Sequence, residues 1–251
     1  MHGLETDLRR YLISKTSTGS KKTKTDNRKS MDKLIEAVSL TKIYRSASEA
    51  ISALGQVSLV LKEGDYLAIV GPSGAGKSTL LHILGGLDSP TKGKVFFKDK
   101  DIYRLKDSEI SFWRNKHVGF VFQFYHLVEE LNVLENATLP LRINGKKYSL
   151  KTIQELLKYL GIEKRWNFFP SQLSGGEKQK VAIARALAND PEIILCDEPT
   201  GNLDKDSQEK VITLLDKLNR EKNKTVVLVT HNLDLAKRAK KTLRIEGGII
   251  V

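Results

Sequence analysis

The residues Gly71, Pro72, Ser73, Gly74, Ala75, Gly76, Lys77, Ser78 and Thr79 constrain this chain more than any other stretch. They fit G-x-x-x-x-G-K-[ST] at every fixed position: Gly71, Gly76, Lys77 and Ser78. The apolar run DYLAIV (65–70) ends directly before them, and helical text, GKSTLLHILGG, follows. A buried strand that enters a glycine-rich turn and then a helix aims backbone N–H groups at an anion, at the positive end of the helix dipole. In such a loop Lys77 reaches the β- and γ-phosphates of a nucleotide, and the Ser78 hydroxyl can ligate Mg2+. A glycine-rich turn that binds nothing is the alternative, and the strand before and helix after weigh against it.

A second stretch, ILCDEPT (194–200), ends an apolar run on Asp197. That places a carboxylate at the carboxyl edge of a sheet, where ligands of open α/β sheets lie. Asp197 is suited to hold Mg2+, and Glu198 beside it to polarise an attacking water. Further strands are predicted over 33–70, at KVFFKD, at VGFVF (118–122) and at KTVVLVT (224–230), with helical text between and after them. Strands alternating with helices predict a parallel sheet.

LSGGEKQKVAIAR (173–185) reads as another helix start built to receive an anion. One ATP has one γ-phosphate, and the phosphate loop already grips its inner phosphates. A second such start is useful if it serves a different ATP. The economical arrangement is a head-to-tail dimer, with LSGG of one chain closing over the ATP held by the other.

Composition narrows the class. No apolar run approaches the roughly 18–20 residues of a membrane span. The start of the chain lacks a signal-peptide pattern, and the single cysteine, Cys196, cannot form an internal disulfide; both predict a cytosolic protein. Net charge is +12, of which residues 1–30 carry +5. Anionic lipid, nucleic acid, an anionic nucleotide or a lysine-rich proteome each accounts for the excess. Residues 14–30 are rich in Ser, Thr and Lys, and residues 1–30 as a whole are expected to be a disordered basic extension ahead of a single domain over 31–251; Leu4, Leu8, Tyr11 and Leu12 have the spacing of a short amphipathic helix.

The order of motifs resembles the ATP-binding subunit of ABC transporters over residues 33–251: the phosphate loop, Gln123, LSGGE (173–177), Asp197-Glu198, GNLD (201–204) and His231. The resemblance implies an α/β fold: a P-loop NTPase core with a mixed sheet, an N-terminal antiparallel β subdomain and an α-helical lobe inserted at about 106–180. It implies ATP and Mg2+ as cofactors. It assigns Tyr44 to stacking on adenine and Gln123 to the metal and the link with the lobe. Glu198 becomes the general base and His231 a γ-phosphate contact. Ser174, Gly175 and Gly176 act on the partner's ATP, and Asp204 connects the two sites. It further implies a homodimer in the ATP-bound state, an integral membrane permease as partner, residence on the inner face of the cell membrane, and no nucleic-acid partner.

GLDSPTKG, WRNKHVGFVFQFYHL, ENATLPL and DEPTGNLD are similar to the lipoprotein-releasing and macrolide-export group. A cell-division-type ATPase with a membrane partner is the nearest alternative. A soluble ABC ATPase acting on DNA or ribosomes is the more distant one, since the chain has one ATPase unit and no heptads. Glu129, Asp99 and Lys180 depart from that group's usual proline, turn glycine and arginine. FYHLVEELNV (124–133) is expected to meet a partner helix. Trp113 is read as partner contact or lobe packing, Trp166 likewise, His126 as a solvated loop residue, His82 as lobe-facing packing and Cys196 as a small core residue.

Overall fold

Three apolar runs, YLAIV, IILCD and TVVLV, set the centre of the molecule. In the computed structural model, which describes residues 33–46, 49–145 and 147–251, they form β3 (Tyr66–Val70), β7 (Ile193–Asp197) and β8 (Thr225–Val229). All their residues are buried except Asp197 at the end of β7. They sit in a six-stranded sheet of order β10-β9-β3-β8-β7-β6, with β6 at Val118–Phe122, β9 at Lys241–Glu246 and β10 at Ile249–Ile250. Every pairing is parallel except the β9–β10 hairpin. A sheet covered on both faces has no polar side to show, which is why these strands read as continuous apolar runs.

Residue parity decides which core each side chain joins. Leu67, Ile69, Ile193, Leu195, Val227 and Val229 pack with Leu80, Leu81, Ile83 and Leu84 of α1 (Lys77–Leu84). Tyr66, Ile194, Cys196, Val226 and Leu228 point the other way. They meet Val181, Ile183 and Ala184 of α5 (Gly175–Leu187) and Val211, Ile212 and Leu215 of α6 (Lys205–Lys222). A fully buried aliphatic side chain is worth about 1.5–3 kcal/mol. Strand interiors are therefore held to apolar residues, and chemistry is left to the strand ends.

The first core is closed by a four-stranded antiparallel sheet of order β2-β1-β4-β5, from β1 (Lys33–Arg45), β2 (Ala50–Lys62), β4 (Lys92–Phe97) and β5 (Lys100–Asp101). Its last hairpin turns at Lys98 and Asp99, with φ of 46° and 68°. Two left-handed residues match the twist of a two-residue hairpin, so Asp99 serves where a glycine is usual. The second core is covered by α3 (Val133–Ile143), α4 (Leu150–Tyr159) and α5. Asn132 and Glu135 form a reciprocal capping box at the start of α3. Between the two sets, α2 (Asp107–His117) lays Trp113 into the first core, 5.3 Å from the Phe97 ring centroid. Trp113 is thus core packing, and Cys196 is fully buried as expected.

The expectation for the end of the chain fails. The helical text after β8 yields only α7 (Leu233–Ala236), and the chain then returns to the sheet as β9 and β10. β9 pairs parallel to β3 from Leu67↔Lys241 to Val70↔Arg244. No described helix is long and apolar enough to cross a membrane. The expectations for residues 1–30 lie outside the described residues.

Candidate active site

β3, β8 and β7 are neighbours, so their carboxyl ends deliver three loops to one edge of the sheet. The phosphate loop leaves β3, His231 follows β8, and Asp197 and Glu198 end β7. They enclose a cleft of about 490 Å³, lined by Ser73 through Thr79, Gln123, Glu198, His231 and Ile51, Ser52 and Ala53 of β2. The β2 wall was not legible in the sequence, because it comes from a different sheet. Gly71 and Pro72 do not line the cleft, but their carbonyl oxygens accept from Lys77 Nζ at 2.9 and 2.7 Å. Gly76 has φ 98°, and a Cβ there would come within 2.3 Å of the Ala53 carbonyl oxygen. Only glycine satisfies both conditions.

Ser78 Oγ donates to Asp197 Oδ1 at 3.0 Å. A hydroxyl and a carboxylate oxygen side by side at the phosphate loop are the hard donors that Mg2+ takes when it shares nucleotide phosphates. Among the described residues no group of three His, Cys, Asp or Glu side chains could hold a metal alone. His82, read from sequence as lobe packing, lies instead with Nε2 3.7 Å from Asp197 Oδ2. Its neighbour Leu81 is in the core, so the helix turn that buries Leu81 swings His82 toward β7.

Glu198 and His231 meet, with Nδ1 2.9 Å from Oε2. Glu198 has φ 48°, and its N–H donates to the Val229 carbonyl at 3.0 Å. A non-glycine residue held left-handed stores about 1–3 kcal/mol, and such strain gathers at working sites. Gln123 shares this cleft; its Nε2 donates to Asn202 Oδ1 at 3.3 Å and its carbonyl accepts from Asn202 Nδ2 at 3.2 Å.

Tyr44 stands outside the cleft lining, 43% exposed. Its hydroxyl donates to Asp88 Oδ2 at 2.7 Å.

Ser174, Gly175 and Gly176 do not line the cleft. Ser174 caps α5: its Oγ accepts from the Glu177 N–H at 3.3 Å and donates to Glu177 Oε2 at 3.0 Å. The Ser174 N–H, with Arg165 Nε at 2.9 Å, holds the Glu177 carboxyl below its usual range. A Cβ on Gly175 would lie 3.0 Å from the Tyr125 hydroxyl, and one on Gly176 2.9 Å from Ser207 Oγ. Both glycines thus let neighbouring segments close on the helix start. Asp204 caps α6, accepting from the Ser207 N–H at 3.0 Å.

Sequence reasoning missed Arg185. From α5 its guanidinium donates to the carbonyls of Tyr125, at 2.7 Å, and His126. Both acceptors have positive φ, 60° and 49°. His126 is therefore a clamped residue, with its ring 5.0 Å from that of Phe122. One side chain ties the segment after Gln123 to the helix that carries LSGG.

A second hollow, of about 640 Å³, lies on the far side of this segment, lined among others by Phe112, Phe120, Ile143, Arg114 and Arg185. Phe112 is 55% and Ile143 71% exposed. Of the stretch expected to meet a partner, Phe124 is exposed, whereas Leu127 packs against the chain's own core.

A family model described as ABC transporter matches residues 54–201. The chain belongs to the ABC transporter family. It is 42% identical over 221 residues to the lipoprotein-releasing system ATP-binding protein LolD of Idiomarina loihiensis, covering 87% of this chain and 97% of that protein. It is 48% identical to an uncharacterized ABC transporter ATP-binding protein of Thermotoga maritima, covering 88% of this chain and 94% of that one. Among solved structures, the dimeric post-hydrolysis ATP-binding cassette MJ0796, bound to ADP and Pi, superposes with a TM-score of 0.80 at 42% identity. That match covers 86% of this chain and 96% of the other. This ABC ATPase therefore has the fold the sequence implied, a mixed core sheet with an antiparallel β subdomain and added helices, and it is the ATP-hydrolysing subunit of a transporter.

Proposed function

We propose that this chain binds MgATP in the cleft at the ends of β3, β8 and β7 and hydrolyses it within a head-to-tail homodimer. The observation that carries this reading is the convergence of Lys77, Ser78, Glu198 and His231 on one cleft, with Asp197 bonded to Ser78, while Ser174, Gly175 and Gly176 lie outside its lining. Lys77 and Ser78 take the phosphates, and Ser78, Asp197 and Gln123 would hold a Mg2+ ion, which would supply positive charge beside the phosphates. Glu198 accepts a proton from the attacking water, and His231, bonded to it, orients it and meets the γ-phosphate. Tyr44 stacks on adenine. Ser174, Gly175 and Gly176 close over the partner chain's γ-phosphate through the α5 N-terminus, and Asp204 sets the helix between the sites.

The work is delivered to an integral membrane subunit of the export or lipoprotein-release type, with the chain on the cytoplasmic face of the membrane and residues 106–180 acting as the lobe. The similarity to the Idiomarina loihiensis protein supports the type. The hollow bearing Phe112 and Ile143 supports the docking place, since apolar anchors beside Arg114 and Arg185 suit a short amphipathic partner helix.

Co-purification from membranes tests this. The expected result is recovery with an integral membrane protein, lost in Phe112→Asp and Ile143→Asp while MgATP hydrolysis in solution stays within about twofold, because neither residue touches the cleft. Duplex DNA or RNA binding at physiological salt that stimulates hydrolysis, with no membrane partner, contradicts it.

A further inference from the structure

The cleft grips phosphates through backbone and charge, yet the aromatic assigned to the base stands outside its lining. A flexible tyrosine there would lose rotamer freedom on binding. The structure shows how that freedom is already removed. Asp88 lies just beyond α1, where its N–H reaches back to the His82 carbonyl. Its Oδ2 accepts the Tyr44 hydroxyl at 2.7 Å, and its Oδ1 accepts Lys42 Nζ at 2.6 Å and the Ser89 N–H at 2.7 Å. Lys42 is anchored again by the Ser89 carbonyl at 2.7 Å, and its ammonium sits 4.8 Å from the centre of the Tyr44 ring. One face of the ring thus carries a cation, and the exposure of the residue leaves the other open. Lys42 also cancels the charge of a carboxylate that would otherwise stand near a triphosphate.

We propose that Asp88 is a positioning residue for nucleotide recognition: together with Lys42 it fixes the Tyr44 ring to the end of α1, the helix whose start is the phosphate loop. Base site and phosphate site then form one rigid body. The proposal rests on the reading of Tyr44 as the adenine contact. It gives Asp88 a part in selecting an adenine nucleotide and none in holding phosphate.

The test measures dissociation constants of the full chain for ATP and for inorganic triphosphate, each with Mg2+. Tyr44→Phe removes the hydroxyl handle and leaves the Asp88–Lys42 pair intact, so it does not threaten folding. Asp88→Asn replaces an acceptor oxygen at the same place. Each should weaken ATP by about three- to tenfold, the value of one hydrogen bond, and leave triphosphate within about twofold. The double variant should be little worse than either single one, since both break the same contact. Unchanged ATP affinity in both single variants, while Tyr44→Ala weakens it, overturns the role of Asp88 and spares the adenine contact. Equal weakening of ATP and triphosphate also overturns it, because a loosened α1 would give that result. If Tyr44→Ala leaves the ratio of the two affinities unchanged, the adenine reading itself is wrong.

Discussion

Two of the described helices begin at glycine-rich turns, and these starts are furnished differently. At the start of α1, Lys77 and Ser78 share a cleft with Glu198 and His231, and Ser78 bonds Asp197. At the start of α5, Ser174 is occupied with capping its own helix, and Glu177, which it caps against, is paired with Arg165. Both can receive a phosphate through N–H groups and dipole. Only the first has an acid–base pair beside it. On the proposed reading, the first start is where a bond is broken, and the second positions a phosphate it does not itself hold. That asymmetry is what a site shared between two chains requires.

The largest expected effect lies at the first start. Glu198→Gln keeps the shape and removes the base, so hydrolysis should fall by about 10²–10⁴-fold. Nucleotide binding should survive, and size-exclusion chromatography in MgATP should show the dimer accumulating. Turnover near wild type would remove Glu198 from its role. His231→Ala removes a donor to the developing charge and should cost about 10²–10³-fold in kcat with little change in ATP affinity. A loss confined to affinity would place His231 in ground-state binding instead.

At the second start the effects should be smaller and should depend on assembly. Arg185→Lys keeps the charge but offers one ammonium to two carbonyls, and the left-handed turn at Tyr125 and His126 loses half its clamp. We expect about a three- to tenfold rise in the ATP concentration needed for dimerisation, with the monomer's nucleotide affinity unchanged. Equal losses in both would mean that Arg185 merely holds the fold together.

These regions also differ in how far the sequence disclosed them. β3, β7 and β8 were legible because strands buried on both faces are written as apolar runs. The phosphate loop and Asp197-Glu198 were legible because short-range spacing fixes their chemistry. β9 was not: with Lys241 and Arg244 exposed and only Ile245 fully buried, KTLRIE lacks such a run. Arg185 was missed because its acceptors are backbone carbonyls about sixty positions away, which no side-chain pattern encodes. Leu127, within the stretch expected to meet a partner, packs on the chain's own core instead. Burial against α-helical neighbours is a property of the folded chain, and a loop sequence with alternating polar residues does not reveal it. The left-handed backbone of Glu198 likewise leaves no mark in DEPTG.

The central claim is that each hydrolysing site is built from both helix starts, one from each of two chains. Mixing Lys77→Ala protein with Ser174→Arg protein tests it most directly. Each variant alone should be inactive: the first loses its phosphate grip in both sites, and the second places a bulky cation where the partner's γ-phosphate must enter. In the mixed dimer one site has an intact Lys77 from one chain and an intact Ser174 from the other. The account predicts that steady-state ATPase activity returns on mixing, in proportion to the heterodimer formed. No activity from a heterodimer shown to assemble, or full activity from a chain held strictly monomeric, would contradict it.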